Sequence, residues 1–416
     1  MTVALAAYRM VTAGLSPFVP RLLYARAVRG KELVHRQDER LAKRLPHRPD
    51  GEVIWLHGAS IGETRLLVQL ADSLRKLRPH AFLLFTSQTR TSAELISDFL
   101  PDNAQHQLAP VDTPAATRRF ISHWQPDLCI FAEGEIWPNL LLAAEASEAR
   151  LALVNARMTA KSITGWTRLR HTARKLFSHF DLILAADHRT AEGLASITGQ
   201  DVPAFGSLKV VGDGATGDEE PSLPNFGWQG PVVLGASTHD GEEKLLLDCL
   251  DLMEPETRLI IAPRHPERGD EVEALLTNQG AEYARISAGD IPLASTKILL
   301  ADTVGDMPKW YAMADHVYLG GAHSPGIGGH NPLEPLSHGK RVLTGPHTSN
   351  CTDTVADLEP LGAISIVRTA EEIAASCRSE APIDVDALKS YFAAGRKRLD
   401  DAAAKLSNLL SPQPLR

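Results

Sequence analysis

Short apolar runs recur along this chain, and each is followed by a segment whose apolar residues return every three or four positions. Glu52–Leu56, Ala81–Thr86, Asp127–Ala132, Leu151–Asn155 and Asp181–Ala185 are each rich in Val, Ile, Leu or Phe. Runs this short, followed by amphipathic stretches, predict strands between helices. The runs are continuously apolar instead of alternating, so both faces of each strand must be covered. That is the mark of a parallel sheet with helices on both sides. The rhythm stops over Val211–Gly230, where VGDGATGDEEPSLPNFGWQG carries glycine, proline and acidic residues with no apolar period. It restarts with Pro231–Ala236, Arg258–Ala262, Lys297–Ala301, His316–Gly320 and Arg341–Thr344.

This pattern predicts an α/β chain with two Rossmann-like domains, residues 49–212 and 231–384, joined by a linker at 213–230. Their parallel sheets are expected to face an interdomain cleft. Residues 385–416 are rich in Ala, Lys and Arg, and are expected to form terminal helices bracing the first domain. No close sequence repeat relates the two halves.

Residues 1–48 form a separate case. Thr2–Tyr24 is fairly apolar, but Arg9, Pro17, Pro20 and Arg21 interrupt it. A spanning helix needs about 20 mostly apolar residues, and no small-residue cleavage site is evident. Arg21–Arg44 then holds eight basic residues against three acidic ones. An amphipathic helix followed by a basic stretch suits an anionic membrane surface. The plainer alternative is a helix packed on its own domain, with the charges as a solvated face.

Composition narrows the picture further. The chain has 416 residues, too many for one ordinary core and suited to two domains of roughly 200 each. Hydrophobic residues make up 44% and charged residues 23%, which excludes a disordered chain. A net charge of −8 excludes nucleic-acid binding by bulk electrostatics. The four cysteines are scattered without a CxxC pair, which argues for buried thiols and against a disulfide framework or zinc site. No metal site is expected.

Ligands of open parallel sheets bind outside the C-terminal ends of the strands, so the residues just after each run matter most. The first run ends in His57-Gly58-Ala59-Ser60-Ile61-Gly62-Glu63. Ser60 and Glu63 have capping-box spacing; a carboxylate here is also suited to take a proton from an attacking hydroxyl. Both readings of Glu63 stand. The run at Asp127–Ala132 ends in Glu133-Gly134-Glu135-Ile136-Trp137-Pro138-Asn139. Two carboxylates so close should differ in proton affinity. Asn155-Ala156-Arg157 would fix an anion or brace the sheet, and Lys209 in Gly206-Ser207-Leu208-Lys209 closes the first domain.

In the second half, Gly235-Ala236-Ser237-Thr238-His239 leads to Gly241-Glu242-Glu243, which resembles an anion-accepting helix start. Pro263-Arg264-His265 suits a phosphate or carboxylate. Asp302-Thr303-Val304-Gly305-Asp306-Met307 and Gly328-Gly329-His330-Asn331-Pro332-Leu333-Glu334 follow later runs. Glycines before a helix let a phosphate approach backbone N–H groups, and Pro332 pre-sets a helical φ. Glu334 is expected on the first helical turn, within reach of ribose hydroxyls. There is no Walker loop and no GxGxxG after the first run, which argues against an ATPase or a dehydrogenase.

The stretches HGASIGE, EGEIWPN, NARMTAKS, GASTHDGEE, PRHPER, DTVGDM, GGHNPLEP and GPHTSN occur in this order. Together they resemble the 3-deoxy-D-manno-octulosonic acid (Kdo) transferases, the lipid A-specific enzymes of Gram-negative bacteria. The resemblance implies a GT-B fold. It implies inverting, metal-independent transfer of Kdo from CMP-Kdo to a lipid A precursor, at the cytoplasmic face of the inner membrane. CMP-Kdo is then the donor substrate, with no further cofactor. It implies Glu63 as general base, with Glu133 or Glu135 and Lys209 stabilising the transition state. Pro263, Arg264, Gly305, Asp306, Met307, Asn331, Pro332, Leu333 and Glu334 fall where that family holds CMP. Two alternatives remain at this level. One is a GT-B transferase using a UDP-sugar on another lipid acceptor; the other is a non-catalytic nucleotide- or lipid-binding module.

Overall fold

The computed structural model describes residues 2–30, 32–89, 92, 93, 96, 100, 101, 103–209, 223–379 and 382–410. Residues 213–222 of the expected linker, and residues 411–416 of the C-terminal segment, lie outside the described residues. The chain divides into two compact units, Met1–Val210 with Ala394–Arg416, and Val211–Ala393.

The first unit holds six parallel strands: β1 Val53–His57, β2 Phe82–Ser87, β3 Ala104–Leu108, β4 Leu128–Ala132, β5 Arg150–Ala156 and β6 Leu182–Ala185. Their order across the sheet is β3-β2-β1-β4-β5-β6. Val53 pairs with Phe82 and His57 with Thr86 on one side of β1, and His57 pairs with Phe131 of β4 on the other. The second unit holds seven: β7 Val232–Thr238, β8 Arg258–Pro263, β9 Tyr283–Arg285, β10 Ile298–Leu300, β11 His316–Leu319, β12 Val342–Thr344 and β13 Ile364–Ile366. Their order is β13-β12-β11-β7-β8-β10-β9, again all parallel.

The apolar runs therefore mark strands, but three strands carry no such run. β3 reads AQHQL, β9 reads YAR and β13 reads ISI, and all three lie at sheet edges. An edge strand is covered less completely, so it tolerates polar residues that a central strand does not. β1 and β4 are the opposite case, buried at every position.

Side-chain alternation sorts each sheet into two apolar layers. Val53 and Trp55 of β1 face one way, into a cluster with Phe120, Trp124 and Phe131. Ile54 and Leu56 face the other way, against Leu66, Leu70 and Leu74 of the helix Ile61–Leu77. Leu399, Ala402, Ala403 and Leu406 of the long helix Val385–Ser407 complete that second layer. In the second unit Phe226 and Trp228 pack on the core around Val232 and Leu234, and the Trp228 indole N–H donates to the Leu293 carbonyl at 3.2 Å. The latter part of the expected linker is thus seated on the second unit, because its aromatics outweigh its glycines and prolines.

The helices Val3–Leu15 and Val19–Val28 are two-faced. Leu5 and Leu23 are buried, and the Tyr8 hydroxyl donates to the Asp112 carboxylate at 2.8 Å. Asn139 donates to the Thr12 hydroxyl at 3.0 Å. The other face exposes Val3, Met10, Val11, Leu15, Phe18 and Leu22. Among the described residues no helix is long and apolar enough to cross a membrane.

Arg78 ties the C-terminal segment to the first sheet. Its buried guanidinium donates to the Ser407 hydroxyl at 2.8 Å and carbonyl at 2.6 Å, and pairs with Glu52 at 3.2 Å. Arg78→Ala leaves a half-buried carboxylate and a carbonyl without these partners. It is expected to cost about 3 kcal/mol, read as a lower urea midpoint for the first unit. A loss below about 0.5 kcal/mol, the range of ordinary surface changes, would mean that water replaces these contacts.

Candidate functional site

In the first sheet, chain connections run outward in opposite directions from β1 and β4, which lie side by side. Such a reversal opens a crevice at the C-terminal ends of the two strands. The residues after β1, β4 and β5, together with residues 207–209, carry the charged groups gathered there.

Glu63 stands three residues into the helix that β1 feeds. Ser60 caps that helix, accepting the Glu63 amide at 3.3 Å. The Glu63 carboxylate returns the contact, accepting from the Ser60 hydroxyl and the Ala59 amide, each at 2.8 Å. The capping reading is therefore realised. The same carboxylate is buried, and burial raises its proton affinity above the ordinary glutamate range. The Ala59 and Ser60 hydrogen bonds oppose that rise, while the negative charges of Glu133 and Glu135 add to it. All three acids belong to one electrostatic cluster.

Glu133 begins the turn after β4 with φ of +55°, in the left-handed region. Its carboxylate meets the Lys209 ammonium at 2.6 Å and accepts from the Asn155 side-chain amide at 3.2 Å. Asn155 is fully buried at the end of β5 and also has a positive φ of +51°. Its side-chain carbonyl accepts the Leu208 amide at 2.9 Å. One buried amide thus holds both the acid and the segment that carries its lysine. Asn155 braces the sheet top, one of the two roles its position suggested. A Cβ built on Gly62 would lie 3.8 Å from the Lys209 nitrogen, so the ammonium stands over the start of the Glu63 helix.

Glu135 has different partners. It accepts from the Trp137 indole N–H at 2.6 Å and the Gln88 side-chain amide at 3.1 Å, and lies 3.4 Å from His57 Nε2. Thr86 holds the other edge of the imidazole: its oxygen accepts the Trp55 indole N–H at 2.8 Å and lies 2.8 Å from His57 Nδ1. Burial pushes the Glu135 proton affinity up, but the contacts with His57, Trp137 and Gln88 outweigh it and hold the carboxyl below the ordinary range. Environment therefore drives Glu63 and Glu135 apart, the arrangement that separates acid and base roles.

His57, Gln88 and Trp137 had no role in the sequence reading. His57 carried one usable signal, as the single ionisable residue in a strand otherwise apolar throughout. A separate cavity of about 1040 Å³ opens at the N-terminal ends of these strands, lined by Arg9, Arg118, Asp127 and Arg150. None of the candidate residues lines it.

In the second unit two buried carboxylates open the helix that follows Gly241. The buried Glu242 carboxylate accepts the amides of His239, Gly321 and His323 at 2.9 to 3.1 Å. Glu243, also buried, accepts from the Thr238 hydroxyl at 2.8 Å and Arg268 at 2.7 Å. These carboxylates tie the turn after β7 to the segment at Gly321–His323 and to Arg268.

The remaining candidates follow β8, β10 and β11 at the same end of the second sheet. Pro263 closes β8, and Arg264 and His265 after it are exposed. Gly305 has φ of +97°, and Asp306 binds Lys309 at 2.6 Å and the Thr303 hydroxyl at 2.8 Å. Lys309 above all holds the Asp306 carboxyl below its ordinary range. Met307 opens the helix Met307–Met313. Asn331 accepts the Leu333 amide at 3.2 Å, Pro332 caps the short helix Leu333–Ser337, and Glu334 lies half-buried on its first turn. Among the described residues no three His, Cys, Asp or Glu side chains form a group able to hold a metal ion.

The family model described as "3-Deoxy-D-manno-octulosonic-acid transferase (kdotransferase)" matches residues 35–211, the span that contains Glu63, Glu133, Glu135 and Lys209. The 3-deoxy-D-manno-octulosonic acid transferase of Bordetella pertussis is 33% identical over 86% of this chain and 86% of its own length. That of Haemophilus influenzae is 32% identical over 78% of each. A glycosyltransferase structure from Rickettsia africae superposes with a TM-score of 0.52 at 13% identity, over 87% of this chain and 95% of that one. The UDP-GlcNAc 2-epimerase of Neisseria meningitidis gives 0.52 at 14% identity, over 86% and 99%. At that identity the structures speak to fold alone, and the fold is GT-B.

The Glu63 environment has a measurable consequence. Its folded-state proton affinity is raised above the ordinary glutamate value of 4.5, so its contribution to stability is complete below about that pH. It is lost as pH rises through the folded-state value. Glu63→Gln carries no ionisation, so the stability of the variant relative to the parent chain should climb as pH is raised from about 4.5 to 8. Urea titrations at several pH values read this directly; a difference independent of pH would contradict the burial argument.

Proposed function

Because the chain belongs to the 3-deoxy-D-manno-octulosonic acid transferase family, we propose that it moves Kdo from CMP-Kdo to a lipid A precursor in lipopolysaccharide biosynthesis. The observation that carries the chemical reading is the carboxylate cluster, in which Glu63 holds a proton more readily than an ordinary glutamate and Glu135 less readily. A general base works best when its proton affinity is raised toward the working pH, because it must take a proton in the transition state and part with it afterwards. Glu63 has that property, and its capping contacts fix its orientation.

In this reading the Glu63 carboxylate takes the proton from the acceptor hydroxyl as the oxygen attacks the anomeric carbon. The bond to the donor phosphate breaks on the opposite face, which inverts the configuration. Kdo carries its own carboxylate beside the reacting carbon, so a cationic group is needed among the three acids. Lys209, held by Glu133, supplies it, and Glu133 keeps the ammonium from pairing with the base. Glu135, tied to His57, Trp137 and Gln88, stays ionised and favours positive charge developing on the sugar ring. CMP is a leaving group with a single phosphate. Arg264, with backbone groups near Gly305–Met307 and Asn331–Glu334, would stabilise it without a metal ion.

Incubation with CMP-Kdo and a tetraacylated lipid A precursor, read by product mass, should show addition of Kdo. Glu63→Ala should lower turnover by about a hundredfold or more, the range of general-base removal, while CMP still raises the melting temperature. Activity within about twofold of the parent would remove Glu63 as the base. Stabilisation by UDP but not by CMP would replace the donor assignment with a UDP-sugar.

We also infer that the helices Val3–Leu15 and Val19–Val28 lie in the plane of an anionic membrane surface, the cytoplasmic face of the inner membrane. The exposed apolar face, with Arg21, Arg26 and Arg29 beside it, supports this. The chain should sediment with vesicles containing anionic lipid and remain free of neutral ones. Leu15→Glu with Phe18→Glu should abolish sedimentation without changing the melting temperature. Retained binding in that double variant would refute the in-plane helices.

A further inference from the structure

Three histidines meet at the C-terminal end of the second sheet. His239 follows β7, His265 follows β8, and His330 precedes the short helix at Leu333. The Nε2 atoms of His239 and His330 are 2.8 Å apart. Their rings are nearly parallel, at 18° with centroids 5.1 Å apart, and the His265 ring stands edge-on to His239 at 5.9 Å. At that Nε2 separation one nitrogen donates and the other accepts. A second hydrogen between them would set two N–H groups head to head. The couple therefore holds one shared proton at this contact and at most one positive charge.

The charged groups around it explain why it is poor in protons as it stands. Arg264, His265 and Arg268 bear on it from the end of β8 and the turn that follows. Glu242 and Glu243 lie on its other side, but their carboxylates are committed to backbone amides, Thr238 and Arg268. Burial first, then Arg264, His239 and His265, bring His330 down to about 4, and His239 is lowered for the same leading reason. The position of His330 is set from behind as well. Gly321 has φ of +82°, and a Cβ there would meet the imidazole at 2.8 Å.

Two half-buried imidazoles stand beside an exposed arginine and an exposed histidine, and the carboxylates nearest them are already committed to other donors. We propose that the His239–His330 couple, with Arg264 and His265, is a proton-coupled anion site, at which a bound phosphomonoester draws a proton from solvent into the couple. The anion offsets the burial and the cationic neighbours that keep both imidazoles neutral, so that one of them gains a proton, and the couple opens so that each Nε2–H donates to a phosphate oxygen. The idea rests on the donor reading above and adds to it a consequence for the reaction. When the bond between the anomeric carbon and the phosphate oxygen breaks, the electron pair stays on the phosphate, which gains one negative charge. The proton taken up by the couple offsets that charge.

Calorimetric titration of the full chain with CMP tests this between pH 7 and 8, where the CMP phosphate is already mostly a dianion. Comparing two buffers of different ionisation enthalpy counts the protons exchanged. The expected result is uptake approaching one proton per CMP, with affinity falling up to about tenfold per pH unit. Cytidine, which lacks the phosphate, should bind weakly and take up none. His330→Asn and His239→Gln should each bind CMP more weakly and lose the uptake. CMP binding without proton uptake in the parent chain, or uptake unchanged in both variants, overturns the proposal and leaves the donor reading intact. A parent chain that binds no CMP at all overturns both.

Discussion

A parallel sheet covered on both faces has no room for charge along its strands, and the rest of this molecule follows from that restriction. Burying an unpaired carboxylate among Trp55, Phe120 and Phe131 would cost several kcal/mol. The central strands are accordingly apolar through their length, and ionisable groups collect where the strands end. Each sheet is parallel, so its own strand ends lie on one side of it, and the reversal of strand order beside β1 in one and β7 in the other leaves a crevice in each. His57 is the exception that tests the rule. It lies within β1, and the chain accommodates it with a hydroxyl at Nδ1 and a carboxylate beside Nε2.

Crowding charge at strand ends creates its own difficulty, and the structure answers it residue by residue. Glu133 has a lysine, Glu135 an indole and two further side chains, Glu63 a helix cap. Glu242 has the backbone amides of Gly321 and His323. Left-handed backbone at Glu133, Asn155 and Ser237 costs of order 1 kcal/mol or more each. These residues stand directly after or at the end of β4, β5 and β7, where the chain must turn sharply to aim side chains outward. The surroundings supply the compensation, most visibly at Asn155, whose side chain bonds to both Leu208 and Glu133.

The same economy links the N-terminal helix to the acidic turn. Asp112 accepts the Tyr8 hydroxyl and also the amides of Asn139 and Leu140, which open the helix Pro138–Glu145. That helix begins one residue after Trp137, which holds Glu135. A single half-buried carboxylate thus caps one helix and anchors another. The apolar stretch at the start of the chain is consequently two things at once: a helix packed on its own unit, and an exposed apolar face.

By itself the sequence determined the alternation of strands and helices, the division into two α/β halves, and the strand ends where chemistry gathers. Those properties follow from local apolar runs and from glycine and proline, which act over a few residues. It could not reveal β3, β9 and β13, because edge strands need little apolar surface. Nor did it distinguish capping from catalysis at Glu63, because the same spacing serves both. Only the tertiary structure brought Lys209 to Glu133, Asn155 to Leu208, His57 to Glu135 and His239 to His330. The partners in these four contacts are 53 to 91 positions apart in the sequence, and their meeting depends on strand order. Proton affinity then depends on the burial and neighbours which that order creates. For that reason the acids were legible as candidates, while the opposite shifts of Glu63 and Glu135 were not.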